Sequence, residues 1–256
     1  MVKPGHGARK RALLRGALLL AAGTIIVVAC DGTSGQFYVV QNQVPGPGCA
    51  IPAAKSGLYQ GSGVLDVRVP AGGGGAYLLM PLLQNDLPAE GDMGAEPNRI
   101  ALTGFEITIR FVDGSGPAAD FFAQLAADPG TAALLHYQTA WSGSVAPGGG
   151  NTAAMTSAFP AETARRLRDA KILSGGSLVR VNAEIRAAGH KLTGGVKSDV
   201  FTYPIEICDG CLIHSVTTCP AMGAVLKGGI CNPGQDAPVD CCTQGADLVC
   251  PATAAP

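Results

Sequence analysis

Charged and aromatic residues are scarce in this chain of 256 residues, at 14% and 5% respectively. A nucleic-acid-binding protein needs a basic surface to neutralise phosphates, yet the 18 Lys and Arg residues do not outnumber the 19 Asp and Glu residues. The chain has 36 glycines and 18 prolines instead. This composition argues against nucleic acid as a partner and favours a turn-rich fold with few long exposed helices.

Familiar catalytic signatures are missing as well. The sequence has no H-E-x-x-H motif and no G-x-S-x-G nucleophile elbow, and the glycine run at 72–75 lacks the Lys-Ser/Thr pair of a P-loop. His136, His190 and His214 follow no metal-binding pattern. The sequence therefore predicts a non-enzymatic protein without a metal or cofactor.

The N-terminal region has the layout of an export signal. Four Lys and Arg residues lie among the first eleven, and an apolar run with one interruption, at Arg15, follows over 12–29. The uninterrupted part, 16–29, is shorter than the about 20 residues that a helix needs to span a bilayer. We interpret residues 1–29 as a cleaved signal peptide. Its removal takes five basic residues and no acidic one, which leaves a net charge of about −6.

The apolar run ends in Val27-Val28-Ala29-Cys30, which resembles the lipobox of bacterial lipoproteins. In that family the cysteine thiol is lipidated, the chain is cleaved before it, and the new amine is acylated. Several acyl chains together anchor a protein stably in a membrane. The resemblance implies a lipid anchor at Cys30 and a location in the cell envelope, facing the periplasm or the exterior. The alternative is an ordinary secretory signal that happens to end in a cysteine.

The nine cysteines form an odd set. If Cys30 carries the lipid, the remaining eight can form four disulfides in an oxidising compartment, although the sequence does not assign the pairs. Cys49 has no cysteine nearby in sequence, so we expect it to pair with the C-terminal segment. The eight candidates are Cys49, Cys208, Cys211, Cys219, Cys231, Cys241, Cys242 and Cys250.

Period-two alternation of apolar and polar residues is the dominant structural signal after residue 60. It predicts half-buried strands at 65–69, 105–111, 179–186 and 201–207. The stretch 76–83 is apolar on both faces and predicts one central strand, although Pro81 removes a backbone donor from it.

Further strands are predicted within 131–144 and 151–157, and helices over 118–127 and 161–170. Many strands with few helices favour an antiparallel β-sandwich, immunoglobulin-like in its general architecture. The predicted organisation is a signal peptide (1–29), a lipidated cysteine and linker (30–60), a sandwich (61–207) and a cysteine-rich segment (208–256). The last segment is too small for a core of its own, so we expect disulfides to stabilise it.

The pair Cys208 and Cys211 forms a C-x-x-C motif, which also occurs in thiol-redox proteins and zinc sites. A redox pair is typical of a helix N-terminus, whereas this motif follows a predicted strand. A zinc site would recruit Cys219, Cys231 or His214, but zinc ribbons need a second C-x-x-C. A structural disulfide is therefore favoured over both alternatives.

Trp141 is the only tryptophan. An exposed tryptophan near strand ends could stack on a sugar, which makes Trp141 a candidate ligand-binding residue. The scarcity of other aromatics favours a role in the core instead.

Three stretches carry a further resemblance: SGVLDVRV with AYLLMPLLQNDL, VFTYPIEICDGCL, and CNPGQDAPVDCC followed by LVCP. Together they resemble a set of uncharacterised cysteine-rich lipoproteins common in myxobacteria. The resemblance implies an envelope location and brings no activity with it.

The leading hypothesis is thus a lipid-anchored envelope protein with a non-enzymatic structural or binding role. A glycan- or peptide-binding sandwich is the first alternative. A thiol-redox or metal-site protein that uses the C-x-x-C motif is the second.

Overall fold

The computed structural model describes residues 35–69, 75–90, 96–219, 231–245 and 247–250. The strands within these residues are β1 (Phe37–Gln43), β2 (Tyr59–Gln60), β3 (Gly63–Asp66), β4 (Tyr77–Leu79), β5 (Pro81–Asn85), β6 (Ile100–Phe111), β7 (His136–Val145), β8 (Gly150–Ala153), β9 (Thr156–Phe159), β10 (Val179–Lys191), β11 (Gly194–Lys197), β12 (Phe201–Cys208), β13 (Ile213–Thr218), β14 (Val239–Gln244) and β15 (Asp247–Val249). The α-helices are α1 (Pro117–Ala127), α2 (Pro129–Ala132) and α3 (Ala161–Asp169).

The largest sheet has six strands in the order β3-β12-β10-β6-β7, with β11 paired to β10. In its central strand β10, buried and more exposed side chains alternate as the sequence predicts. Val181, Ala183 and Ile185 are fully buried, and the residues between them are more exposed. Most pairs are antiparallel, but β3 runs parallel to β12. The alternation therefore predicted β6, β10 and β12. The short strand β11 and the parallel edge formed by β3, which ends at Asp66 within the predicted 65–69, are findings of the structure.

A four-stranded sheet in the order β2-β1-β5-β8 packs against the six-stranded one. One core cluster contains Phe37 and Leu83 of the former together with Ile107, Ile185 and Ile205 of the latter. The protein is thus mainly β, with the layered arrangement of a β-sandwich. Helices α1 and α3 match the two predicted helices, and each buries a leucine.

Two parts of the sandwich differ from the sequence prediction. The linker predicted over 30–60 contains β1. Alternation of apolar residues did not identify this strand, because its buried positions at the C-terminal end are the polar residues Asn42 and Gln43. The single strand predicted at 76–83 is two strands: β4 pairs with β9, and β5 pairs with β1. The division falls at Pro81, which has no N–H to continue the first ladder and begins the second strand.

The C-terminal segment forms a three-stranded sheet in the order β13-β14-β15. A small cluster of Val239, Cys241 and Cys250 also includes Val69 from the sandwich. The segment therefore has a minor core, which the sequence did not predict. Among the helices of the described ranges, none is long and apolar enough to cross a bilayer.

Four disulfides join the eight candidate cysteines: Cys49–Cys231, Cys208–Cys211, Cys219–Cys242 and Cys241–Cys250. Cys49 pairs with the C-terminal segment, as expected. The C-x-x-C cysteines pair with each other, in agreement with the favoured structural interpretation.

Candidate functional site

The segment 231–237, which we call the tail loop, lies between two sheet edges of the sandwich. Its N-terminal end is bonded to Cys49 through Cys231. Gly234 allows the close approach, since its φ is +84° and a Cβ there would lie 2.9 Å from Cβ of Val69. A larger residue at this position would push the loop away from the sandwich.

Two side chains of the tail loop pair with backbone in the manner of a strand. Leu78 N–H donates to Gln235 Oε1 and Gln235 Nε2 donates to the Leu78 carbonyl, both at 2.8 Å. Val64 N–H donates to Asp236 Oδ1 at 2.7 Å, while Asp236 N–H donates to the Val64 carbonyl at 3.0 Å. The tail loop thus satisfies edge groups of both β3 and β4, which would otherwise lack partners.

A chain of buried hydrogen bonds runs behind the tail loop. Asn42 Nδ2 donates to the Tyr203 hydroxyl at 3.0 Å, and the hydroxyls of Tyr203 and Tyr77 are 2.9 Å apart. The Tyr77 hydroxyl donates to Asp236 Oδ2 at 2.8 Å. Both tyrosines are almost fully buried. The chain connects β1, β12, β4 and the tail loop, so it fixes their relative positions.

Burial shifts the acid–base behaviour of this network. It raises the pKa of Tyr203 to about 12, and it raises the pKa of Tyr77 further, with Asp236 and Tyr203 adding to the effect. Burial also raises the pKa of Asp236 above the ordinary aspartate value of 3.8, against the opposing effect of its hydrogen-bond donors. Both tyrosines therefore stay protonated near neutral pH and can act as donors.

The raised pKa of Asp236 predicts a pH-dependent loss of stability. A raised pKa means that the folded protein holds this proton more tightly than the unfolded chain does. The protonated carboxyl therefore contributes to the free energy of unfolding in full below about pH 3.8, and this contribution is lost as the pH rises through the folded-state pKa. The near-isosteric change Asp236→Asn removes that ionisation. We therefore expect the unfolding free energy of the variant, relative to the unmodified protein, to increase as the pH rises from 3.8, measured by urea denaturation.

Asp240→Asn is the control of opposite sign. Hydrogen bonds from Ser215 and His214 lower the pKa of Asp240, so its stabilisation is present above the ordinary pKa and is lost on acidification. The relative stability of that variant should fall as the pH rises. Parallel pH profiles for the two variants would contradict the assignment to Asp236.

A cleft of about 310 Å³ opens beside the tail loop. Its walls come from residues 42–46 at the end of β1, from Gln60 of β2, and from Leu78 and Met80. The tail loop closes the remaining side. This volume lies at the lower end of the range for small-ligand sites, about 300–1,000 Å³.

The C-x-x-C turn is organised by the carboxylate of Asp66. Asp66 is fully buried and accepts hydrogen bonds from the backbone N–H groups of Arg68, Gly210 and Leu212 at 3.0, 2.7 and 2.8 Å. A carboxylate oxygen of Asp66 lies within 4.8 Å of both sulfurs of the Cys208–Cys211 disulfide. Metal binding would require both sulfurs as thiolates, and here they are bonded to each other. The geometry thus matches a stabilised turn.

The other residues singled out in the sequence do not converge on one site. Trp141 is half-buried against the main core and is not among the described residues that line the cleft beside the tail loop. His214 is exposed beside Asp240, at 3.0 Å. The signal peptide and Cys30 lie outside the described residues, so lipidation at Cys30 stays a prediction.

Sequence reasoning missed the cleft and its network. Asn42, Tyr77, Tyr203 and Asp236 are far apart in the chain, and none belongs to a catalytic or metal-binding motif. The polar Pro-Gly-Gln-Asp turn after Cys231 lies in one of the stretches that carry the lipoprotein resemblance, which brings no activity with it.

Comparisons of the chain with protein-family models, with curated proteins and with solved structures found no match. The fold and the site geometry therefore carry the functional argument.

Proposed function

We propose that this chain is a lipid-anchored protein of the bacterial cell envelope, with Cys30 as the lipidated residue. The β-sandwich and its disulfide-rich segment then face the periplasm or the exterior. The role we propose is non-enzymatic, either structural or in binding.

The observation that carries the proposal is the use of the cysteines. Every cysteine after Cys30 is in a disulfide, four pairs in all. Such a set is typical of proteins that fold outside the reducing cytoplasm. The four disulfides therefore support an exported protein. They use every cysteine except Cys30, and the lipobox interpretation requires that Cys30 be left for the lipid.

A binding role has better support than a thiol-redox role. The Asp66 carboxylate beside Cys208 and Cys211 disfavours the thiolate that thiol–disulfide exchange needs. The cleft beside the tail loop, in contrast, is held open by a disulfide and a hydrogen-bonded network.

Lipidation at Cys30 is tested by labelling. In cells fed an alkyne analogue of palmitate, the unmodified chain should incorporate the label and sediment with membranes, because its cysteine accepts the acyl chain. Cys30→Ser should lower the label to background. The paired change Cys208→Ser and Cys211→Ser is the control, since it removes two cysteines outside the lipobox, leaves no unpaired thiol and should leave labelling unchanged. Label retained by Cys30→Ser, or absent from the unmodified chain, would rule out the anchor.

A further inference from the structure

We propose that the cleft beside the tail loop binds a neutral sugar unit of a glycan. This inference deepens the binding role proposed above and rests on it. It does not depend on the lipid anchor.

The cleft has the construction of a pre-formed site. Its walls come from segments far apart in sequence, which the Cys49–Cys231 disulfide and the paired side chains of Gln235 and Asp236 hold together. Behind the walls, the buried chain from Asn42 to Asp236 has its donors and acceptors matched. A ligand entering the cleft therefore meets an ordered surface and has little ordering entropy to overcome.

The charge of the lining selects against anions. Five side-chain amides line the cleft, and the described residues of its lining include no Lys, Arg or His. Among these described lining residues the one ionisable group is the Asp236 carboxyl, which would repel an anion when ionised. An anionic ligand would lose its hydration here without gaining a cationic partner. A neutral ligand carries no charge to desolvate and avoids this cost.

The lining also has unused hydrogen-bonding capacity of both kinds. Asn232 Nδ2 donates to Ala76 O and to Gln235 Oε1, but within the described residues Asn232 Oδ1 accepts no hydrogen bond. The lining residue Gln60 is only half-buried, and its side-chain amide carries two N–H donors. A sugar hydroxyl can both donate and accept a hydrogen bond. A sugar could therefore bind to the free acceptor and the free donor of the lining within one small site.

Apolar groups complete the match. Leu78, Met80 and Val44 line the cleft and offer contact to the C–H face of a sugar ring. An extended peptide would instead need a long open strand edge, and β2 has two residues.

The test is a binding screen on the purified, disulfide-intact chain. The probes are neutral oligosaccharides of glucose, mannose, galactose and N-acetylglucosamine, together with uronate and sulfated oligosaccharides of matched length. We expect at least one neutral probe to bind with a Kd between about 1 µM and 1 mM. The anionic probes should bind at least about tenfold more weakly, because the described lining residues include no cation and the Asp236 carboxylate would repel them.

Ala237→Phe is designed to fill the cleft, and we expect it to weaken binding at least about tenfold. Ala133→Phe, at an exposed alanine outside the cleft lining, is the matched control and should leave the Kd unchanged. Gln60→Leu keeps the volume of a half-buried lining residue and removes its amide, so it should also weaken binding. In the unmodified protein, the side-chain amide NMR signals of Asn42, Gln60 and Asn232 should shift on titration with the bound sugar.

Three results would overturn the proposal: no neutral probe bound by the folded protein, equal binding by Ala237→Phe and Ala133→Phe, or a preference for the anionic probes. Binding of peptides in place of sugars would overturn the ligand class. None of these results bears on palmitate labelling at Cys30, so failure of the sugar site and failure of the anchor are distinguishable.

Discussion

Replacing Cys49 and Cys231 together by serine is expected to lower the free energy of unfolding by about 5 kcal/mol. The disulfide closes a loop with a sequence separation of 182 residues. In the chain-entropy description, a loop of this length removes about 5 kcal/mol of conformational freedom from the unfolded state. Urea denaturation of the oxidised protein and of the double variant, followed by circular dichroism, measures the difference.

The Cys208–Cys211 disulfide is the internal control, because its sequence separation is 3. The same reasoning gives about 1.6 kcal/mol for its removal by paired serine substitutions. The Cys219–Cys242 and Cys241–Cys250 variants, with separations of 23 and 9, should fall between these limits. If the Cys208–Cys211 variant lost as much stability as the Cys49–Cys231 variant, loop length would not be the controlling quantity.

Asp66→Ala is expected to lower the unfolding free energy by about 3 kcal/mol or more. The fully buried carboxylate is the acceptor for three backbone N–H groups, two of them in the turn after β12. Alanine would leave these donors without a partner, and each buried unsatisfied group costs about 1–3 kcal/mol. Thermal and urea unfolding of the oxidised variant provide the measurement.

Asp209→Asn tests whether charge alone explains that loss. Asp209 lies in the same turn and forms an ion pair with Arg68 at 2.8 Å, but the Arg68 side chain is 53% exposed. Exposed pairs contribute about 0–1 kcal/mol, so this variant should remain close to the unmodified protein. Equal losses from Asp66→Ala and Asp209→Asn would refute the hydrogen-bonding explanation.

Strands β6, β10 and β12 of the six-stranded sheet were predictable because each buries one face. In β10 and β12, side chains alternate between the core and solvent, and the sequence carries that alternation directly. Strand β1 was not predictable in the same way, because its buried positions include Asn42 and Gln43. Gln43 is satisfied by the carbonyls of Pro52 and Ala54, partners that no local pattern identifies.

The candidate site was less accessible to sequence reasoning than the fold. The pairing of Cys49 with the C-terminal segment was predictable from the isolation of Cys49 in the sequence. The identity of its partner was not, because many pairings satisfy the same count. Gln235 and Asp236 pair with backbone atoms of β4 and β3, and backbone partners leave no signature in the sequence of those strands.

The Cys49–Cys231 bond also has a mechanical consequence. Tension applied between the two ends of the chain would pass directly from Cys49 to Cys231, so the residues between them would carry no load and could not be extended. The part before Cys49, which includes β1, could lengthen. After Cys231, the Cys241–Cys250 disulfide closes a second loop, so the residues between Cys241 and Cys250 could not lengthen either. If the chain is tethered at Cys30, as proposed, a pull from the membrane would detach β1 from β5 and then stop at a covalent bond. The strands between Cys49 and Cys231 would not be pulled apart directly, because the covalent bond carries the load in their place.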